Sequence, residues 1–215
     1  MRGFHPAARN RFGGAMGKLV VTQFITLDGV IEDPGGAEQT EHGGWTFRFD
    51  QGPDAMKFKL EELLASDAQL LGRVTYEGFA RAWPGMKGAG EFGARMNEMP
   101  KFVVSRSLRD PAWTNTSIID GDVSEGVRAL KEQFAGDILV AGSATLVQEL
   151  LELDLVDELN LMVFPVVLGT GKRLFADGAE RRRFALYATH HTGSVVIMKL
   201  RRERQQRRAV DIPDD

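Results

Sequence analysis

Residues 137–152, DILVAGSATLVQELLE, change their period within a few positions. Ile138, Leu139 and Val140 form a continuous apolar run, the mark of a strand covered on both faces. Ala141, Gly142 and Ser143 interrupt it, and Leu146, Val147, Leu150 and Leu151 then recur at helical spacing. A buried strand that stops at small residues and restarts at once as a helix is half of a strand–helix–strand unit. It commits the chain to a largely parallel sheet with helices over it. The rest of the chain repeats the plan. Ala68–Leu71 ends at Gly72 and is followed by a helix over Thr75–Ala82 that Trp83-Pro84 stops. Lys101–Ser105 and Ser117–Asp120 are further short strands, and residues 123–134 a helix with Val127, Leu130 and Phe134 inward. From Val156 to Val167 the chain is apolar on both faces from Leu161 onward.

At the start, Lys18–Ile31 is strand-like with a bend at Asp28-Gly29, and residues 33–53 form a long loop carrying Trp45, Phe47 and Phe49. Residues 54–66 place Met56, Leu60, Leu63 and Leu64 on one helical face, and Gly85–Gly93 reads as a glycine-rich loop. Phe184–His191 and Ser194–Arg202 pair as a closing antiparallel hairpin across Thr192-Gly193. The expected class is therefore α/β, with a mixed, mostly parallel sheet. One domain over 18–202 fits a chain of 215 residues. Residues 1–17 are expected to be a disordered extension and residues 203–215 a charged, solvated tail. Without cysteine there are no disulfides or thiolate nucleophiles, which fits a reducing, cytoplasmic setting. The net charge of −3 gives no bulk pull toward nucleic acid or membrane, and no apolar run approaches the length of a membrane span.

Three strand ends are polar and suited to phosphate. At VAGSATL, Gly142 admits close approach to the backbone, Ser143 can cap the next helix, and that helix's first N–H groups face whatever lies above the sheet. At LLGRVTYE, Arg73 offers a planar fork after Gly72, and Thr75 can cap and donate. At VVSRS, Ser105, Arg106 and Ser107 provide a guanidinium with hydroxyls, a receptor for a ribose 2′-phosphate. Each also reads as an ordinary turn; the three together favour a phosphorylated dinucleotide. GAGEFG, Gly88–Gly93, matches a dinucleotide fingerprint by letter only, since no strand precedes it.

The segments FITLDGVIEDP, LLGRVTYEGFARAWP, KFVVSRSL, DILVAGSATLVQELLELDLVDELNLMVFPVVLGTGKRLF and the closing hairpin resemble, in order over about residues 18–202, the dihydrofolate reductase superfamily. The closer resemblance is to the branch holding the reductase domain of bacterial riboflavin biosynthesis and its stand-alone relatives. The resemblance implies a three-layer α/β/α sandwich, NADPH as hydride donor, a small-molecule substrate and a homodimer. It implies Gly72, Arg73 and Thr75 near the cofactor phosphates and Ser105 and Arg106 near the 2′-phosphate. Gly142, Ser143, Ala144, Thr145 and Leu146 would run along the pyrophosphate and nicotinamide ribose, and Thr26, Leu27, Asp28 and Gly29 beside the nicotinamide and substrate. Two departures point away from folate reduction proper. Gly142-Ser143 stands where dihydrofolate reductase has two glycines, and counting back from Gly72 to its substrate acid reaches Met56, with Asp54 nearby. The zinc deaminase signature of the bifunctional riboflavin enzymes is absent.

Asp28, Asp54 and Glu77 are the carboxylates best placed to meet a substrate, with Asp28 and Glu77 the candidate catalytic acids. Asp28 equally suits a turn before Gly29, and Glu77 a helix first turn. Trp45, Phe49 and Trp83 could stack on a flat heterocycle or fill the core. No metal-ligand spacing exists: His190 and His191, adjacent on a strand, face opposite sides. The sequence thus reads as an NADPH-dependent reductase of a small heterocyclic or carbonyl/imine substrate. The nearest activity is reduction of 5-amino-6-(5-phosphoribosylamino)uracil. The alternatives are a pteridine or dihydrofolate-type reductase and a non-catalytic nucleotide-binding module.

Overall fold

The computed structural model describes residues 16–203, so the expectations for residues 1–15 and 204–215 lie outside the described residues. Eight strands form one sheet in the order β4-β3-β2-β5-β1-β6-β8-β7. β1 (Leu19–Thr26), β2 (Ser66–Gly72), β3 (Lys101–Val104), β4 (Thr116–Ile119), β5 (Asp137–Ala141) and β6 (Glu158–Phe164) are all parallel. β7 (Phe184–Thr192) and β8 (Val195–Arg202) form the antiparallel hairpin, with β8 against β6. Mixed pairing follows from connection length: parallel neighbours need long crossovers, whereas Gly193-Ser194 suffices to turn the hairpin.

The helices make the outer layers. α4 (Val123–Gln133) and α5 (Ala144–Glu152) bury Val127, Leu130, Val147 and Leu150 against Leu19, Val21, Ile138 and Val140. On the other face, α1 (Asp54–Leu64), α2 (Arg73–Ala82) and α3 (Gly90–Glu98) bury Leu63, Tyr76 and Met96 against Val20, Leu71, Val103 and Leu139. Alternate residues of one strand thus serve opposite layers, as the period of two demands. Asp122 caps α4 by accepting the Glu125 N–H at 2.8 Å.

Several boundaries move. β1 ends at Thr26, where the Leu27–Asp28 turn begins, rather than at Ile31, and β6 spans Glu158–Phe164 rather than 156–167. The loop expected through Gly93 becomes α3 from Gly90, because Met96 and Phe92 find Trp83, Met99 and Leu63 to pack against. The largest change is the roll of α1. Met56 and Leu64 are 63% and 44% exposed, and Ala55, Phe58, Lys59, Glu62 and Leu63 face inward instead. The reason lies in the sheet beneath, which presents Thr22 and Asn160, and these pair with the helix's own polar residues. Gly17 is already part of the fold: its N–H donates to Lys131 O, and its Cα sits too close to Phe134 O and Gly136 O for a side chain.

Candidate functional site

β5 follows β4 in the chain yet inserts between β2 and β1. The winding direction reverses there, which opens a crevice outside the carboxyl end of β5. Its last register pair is Ala141 with Thr22, so β1 runs on past the Gly142-Ser143 turn, paired to β6 alone.

Two strand-end motifs interlock at this crevice. A Cβ on Gly72 would lie 2.3 Å from Ser143 Oγ, and one on Gly142 would lie 2.8 Å from Thr75 Cγ2. Neither position admits a side chain, and Gly142 also takes φ +71°. Ser143 follows at φ +62°, a left-handed conformation that few residues with a Cβ adopt, and caps α5 by accepting the Leu146 N–H at 3.4 Å. The Ala144 and Thr145 N–H groups have no acceptor within the helix and stand at its positive end. Ala144 and Leu146 bury their side chains, whereas Thr145 is exposed.

Gly72 caps α2 with extended backbone, so Thr75 is not the cap but the residue that fills the space over Gly142. Arg73 Nη1 donates to both carboxylate oxygens of Glu77, at 2.9 and 3.1 Å. The two are partners one helical turn apart, and Glu77 orients the guanidinium. On the neighbouring strand, Ser105 Oγ accepts the N–H groups of Ser107 and Leu108 at 3.2 and 2.9 Å, which folds the turn. Arg106 is exposed beside it, and Arg109 Nη1 donates to Arg106 O.

At the end of β1, Thr26 is buried; its hydroxyl donates to Asp28 Oδ1 at 2.6 Å and accepts the Val30 N–H at 2.9 Å. Asp28 also accepts the N–H groups of Leu168 and Gly169, at 3.3 and 2.8 Å, and Arg173 lies 3.9 Å away. The Thr26 hydroxyl, seconded by these backbone N–H groups, holds the Asp28 carboxyl below its ordinary value against the opposing effect of burial. The carboxylate clamps the 168–173 loop onto the β1 exit. Gly29 turns at φ +83°, and Leu27 stands 63% exposed at the rim.

The aromatic and acidic candidates go elsewhere. Trp45 is 1% exposed, donates Nε1–H to Glu32 O at 2.9 Å, and with Phe24 and Phe49 stands edge-on to Phe164. Trp83 is half-buried between Phe79 and Phe92. Asp54 lies at the hairpin edge, three strands from β1, with its Oδ2 2.8 Å from His190 Nε2.

A different polar set lies between α1 and the sheet beside the end of β5. Glu62 Oε2 accepts from Thr22 Oγ1 at 2.8 Å and from Lys59 Nζ at 2.5 Å, and Glu62 Oε1 accepts from Asn160 Nδ2 at 2.9 Å. Lys59 Nζ also donates to Thr22 Oγ1 at 2.5 Å and lies 5.5 Å from the centre of the Phe24 ring. On the opposite face of β1, Gln23 Nε2 donates to Gly142 O at 3.4 Å and ties the strand to the turn. The residue pattern did hold a signal for these: Thr22-Gln23 interrupts an otherwise apolar strand, and Lys59 and Glu62 stand three apart on α1.

Residues 17–198 match the model of the RibD C-terminal domain family. The chain is 30% identical over 184 residues to the uncharacterized protein YyaP of Bacillus subtilis, covering 84% of this chain and 92% of YyaP. Its fold is similar to that of a diaminohydroxyphosphoribosylaminopyrimidine deaminase/5-amino-6-(5-phosphoribosylamino)uracil reductase from Thermotoga maritima. That likeness has a TM-score of 0.60 at 20% identity and covers 87% of this chain and 57% of that one. It is also similar to Enterococcus faecalis dihydrofolate reductase, solved with NADP(H), with a TM-score of 0.55 at 16% identity over 89% of this chain and 99% of the other. The fold is that of dihydrofolate reductase, and by the family match the chain belongs to the RibD C-terminal domain family.

Proposed function

We propose that the chain is an NADPH-dependent reductase of a small heterocyclic or carbonyl/imine substrate, close in type to 5-amino-6-(5-phosphoribosylamino)uracil reductase, and that it works as a homodimer. The observation that carries the reading is the interlock of Gly72 with Ser143 and of Gly142 with Thr75. It brings two strand-end motifs, 70 residues apart in the chain, to one crevice. The donor set fits a dinucleotide. The open N–H groups at the start of α5 and the Gly142-Ser143 turn suit a pyrophosphate. Arg73 and Arg106, both exposed and on adjacent strand ends, suit further phosphate. Arg73 is held ready by Glu77 and can share its fork with a phosphate oxygen. Ser105 keeps its hydroxyl hydrogen to donate.

When bound, the nicotinamide would supply hydride; the chain supplies position, charge and exclusion of water. Asp28 fixes the β1 exit against the 168–173 loop, and Leu27, exposed at the rim, offers apolar surface to a flat ring. The test is titration of NADPH and NADH against the full chain, followed by a turnover screen on pyrimidine, pterin and quinone panels. Tighter binding of NADPH and turnover of one panel member support the reading. Equal affinity for both cofactors removes the 2′-phosphate assignment, and binding without turnover of any panel member favours a non-catalytic nucleotide-binding module.

A further inference from the structure

The polar cluster under α1 is costly for what it does as scaffold. Taking Lys59 and Glu62 out of water is not recovered in full by their attraction, and apolar residues of the same volume would hold α1 on the sheet as well. Lys59 has three N–H groups. Thr22 Oγ1 and Glu62 Oε2 take two, each at 2.5 Å, and among the described residues no protein oxygen takes the third. The Lys59 side chain is 15% exposed against 4% for Glu62, so Lys59 is the more open member of the pair. Asn160 Oδ1 is buried without a partner, which leaves the cluster short of a donor as well.

Its position is the second observation. Thr22 and Ala141 are register partners, and Val20 and Leu139, two residues back in each strand, bury toward α1, α2 and α3. Thr22 and Ala141 therefore show their side chains to that same layer. Lys59 Nζ, bonded to Thr22 Oγ1, thus stands on the face of the sheet that Ala141 shares, one residue before the Gly142-Ser143 turn. Thr75 borders that turn from α2, and Lys59 reaches Thr22, the register partner of Ala141, from α1.

We propose that Lys59 is the substrate-binding cation of this site. Its third N–H donates to a carbonyl oxygen of a flat heterocycle seated between α1 and α2, and selects oxo-substituted rings over amino-substituted ones. Glu62 and Thr22 act as positioning residues: by occupying two N–H groups they aim the third. The ligand class rests on the reductase reading; the donor geometry does not.

The experiment measures binding to the full chain by calorimetry, with 5,6-diaminouracil as the oxo probe and 2,4,5,6-tetraaminopyrimidine as its carbonyl-free counterpart, alongside NADPH. Wild type should prefer the oxo probe. Lys59→Met should weaken that probe at least tenfold, leave the tetraamino probe within about twofold, and leave NADPH unchanged. Because Lys59→Met strands the Glu62 carboxylate, the double variant Lys59→Met/Glu62→Met removes both charges and should show the same loss of preference in a chain that melts near wild type. An oxo preference retained in both variants, or no preference or no probe binding in wild type, overturns the proposal. Failure of NADPH to bind while the Lys59-dependent preference survives would instead remove the reductase reading and leave this one standing.

Discussion

At the scale of single residues, the site is a set of close fits. Gly72→Ala places a methyl within 2.3 Å of Ser143 Oγ, so Ser143 must move off the α5 N-terminus. We expect a loss of about 1–3 kcal/mol in stability, read as a lower melting temperature, and weaker NADPH binding. Adding Ser143→Gly should restore most of the stability, since it removes the clash and the left-handed strain together; no recovery would mean that the interlock is not what Gly72 serves. Arg106→Ala should cost about 1.5–3 kcal/mol in NADPH affinity and narrow the preference over NADH, measured by parallel titration. Asp28 gives a dependence on pH. Its carboxyl sits below the ordinary value in the fold, so its contribution is complete above the unfolded value of about 3.9 and is lost as pH falls through the lower folded value. Asp28→Asn should therefore lower stability by about 1–3 kcal/mol at pH 7, with the gap to wild type closing below about pH 4 in denaturant melts. A gap constant with pH would exclude the charge as the cause.

Among the elements, α1 and β7 depart most from their sequence pattern. A helix is rolled by what lies under it, and Thr22 with Asn160 makes that surface polar, so α1 turns Lys59 and Glu62 down and leaves Met56 and Leu64 out. No periodicity in residues 54–66 could supply this, because the partners come from strands about 40 and 100 residues away. β7 is an edge strand of nine residues, FALYATHHT, with neither lysine nor proline, and Leu186 and Tyr187 are 52% and 42% exposed. Natural edges are usually protected by charge, proline or cover. We expect the proposed homodimer to form across this edge. Sedimentation at micromolar concentration should give a dimer mass, and Leu186→Lys should shift it to monomer without changing the fold; a wild-type monomer would remove the dimer.

For the molecule as a whole, the described fold closes on itself near both ends of the expected domain. Gly17 N–H donates to Lys131 O, the Arg202 N–H donates to Asp157 O, and the Arg202 guanidinium meets Asp154. A chain trimmed to residues 16–203 should then melt within a few degrees of the full protein and bind NADPH equally. A tenfold loss of affinity, about 1.4 kcal/mol, would place a terminal segment in the site. What the residues determined by themselves was local. Apolar runs bounded by Gly72, Ser105 and Gly142 specify buried strands, helical spacing after Ser143 specifies α5, and Gly193 specifies the hairpin, whose turn falls at Gly193-Ser194, one residue along from the expected Thr192-Gly193, since each depends on neighbours within a few positions. The phosphate-suited strand ends were legible for the same reason. Only tertiary structure decided which polar groups meet. It spent Trp45 on Phe164, Glu77 on Arg73, Asp54 on His190 and Asp28 on the 168–169 loop, and it assembled Lys59, Glu62, Thr22 and Asn160 into one cluster. A hydrogen bond's partner is chosen by distance in space, and the order β2-β5-β1-β6 brings together residues that no span of sequence holds near one another.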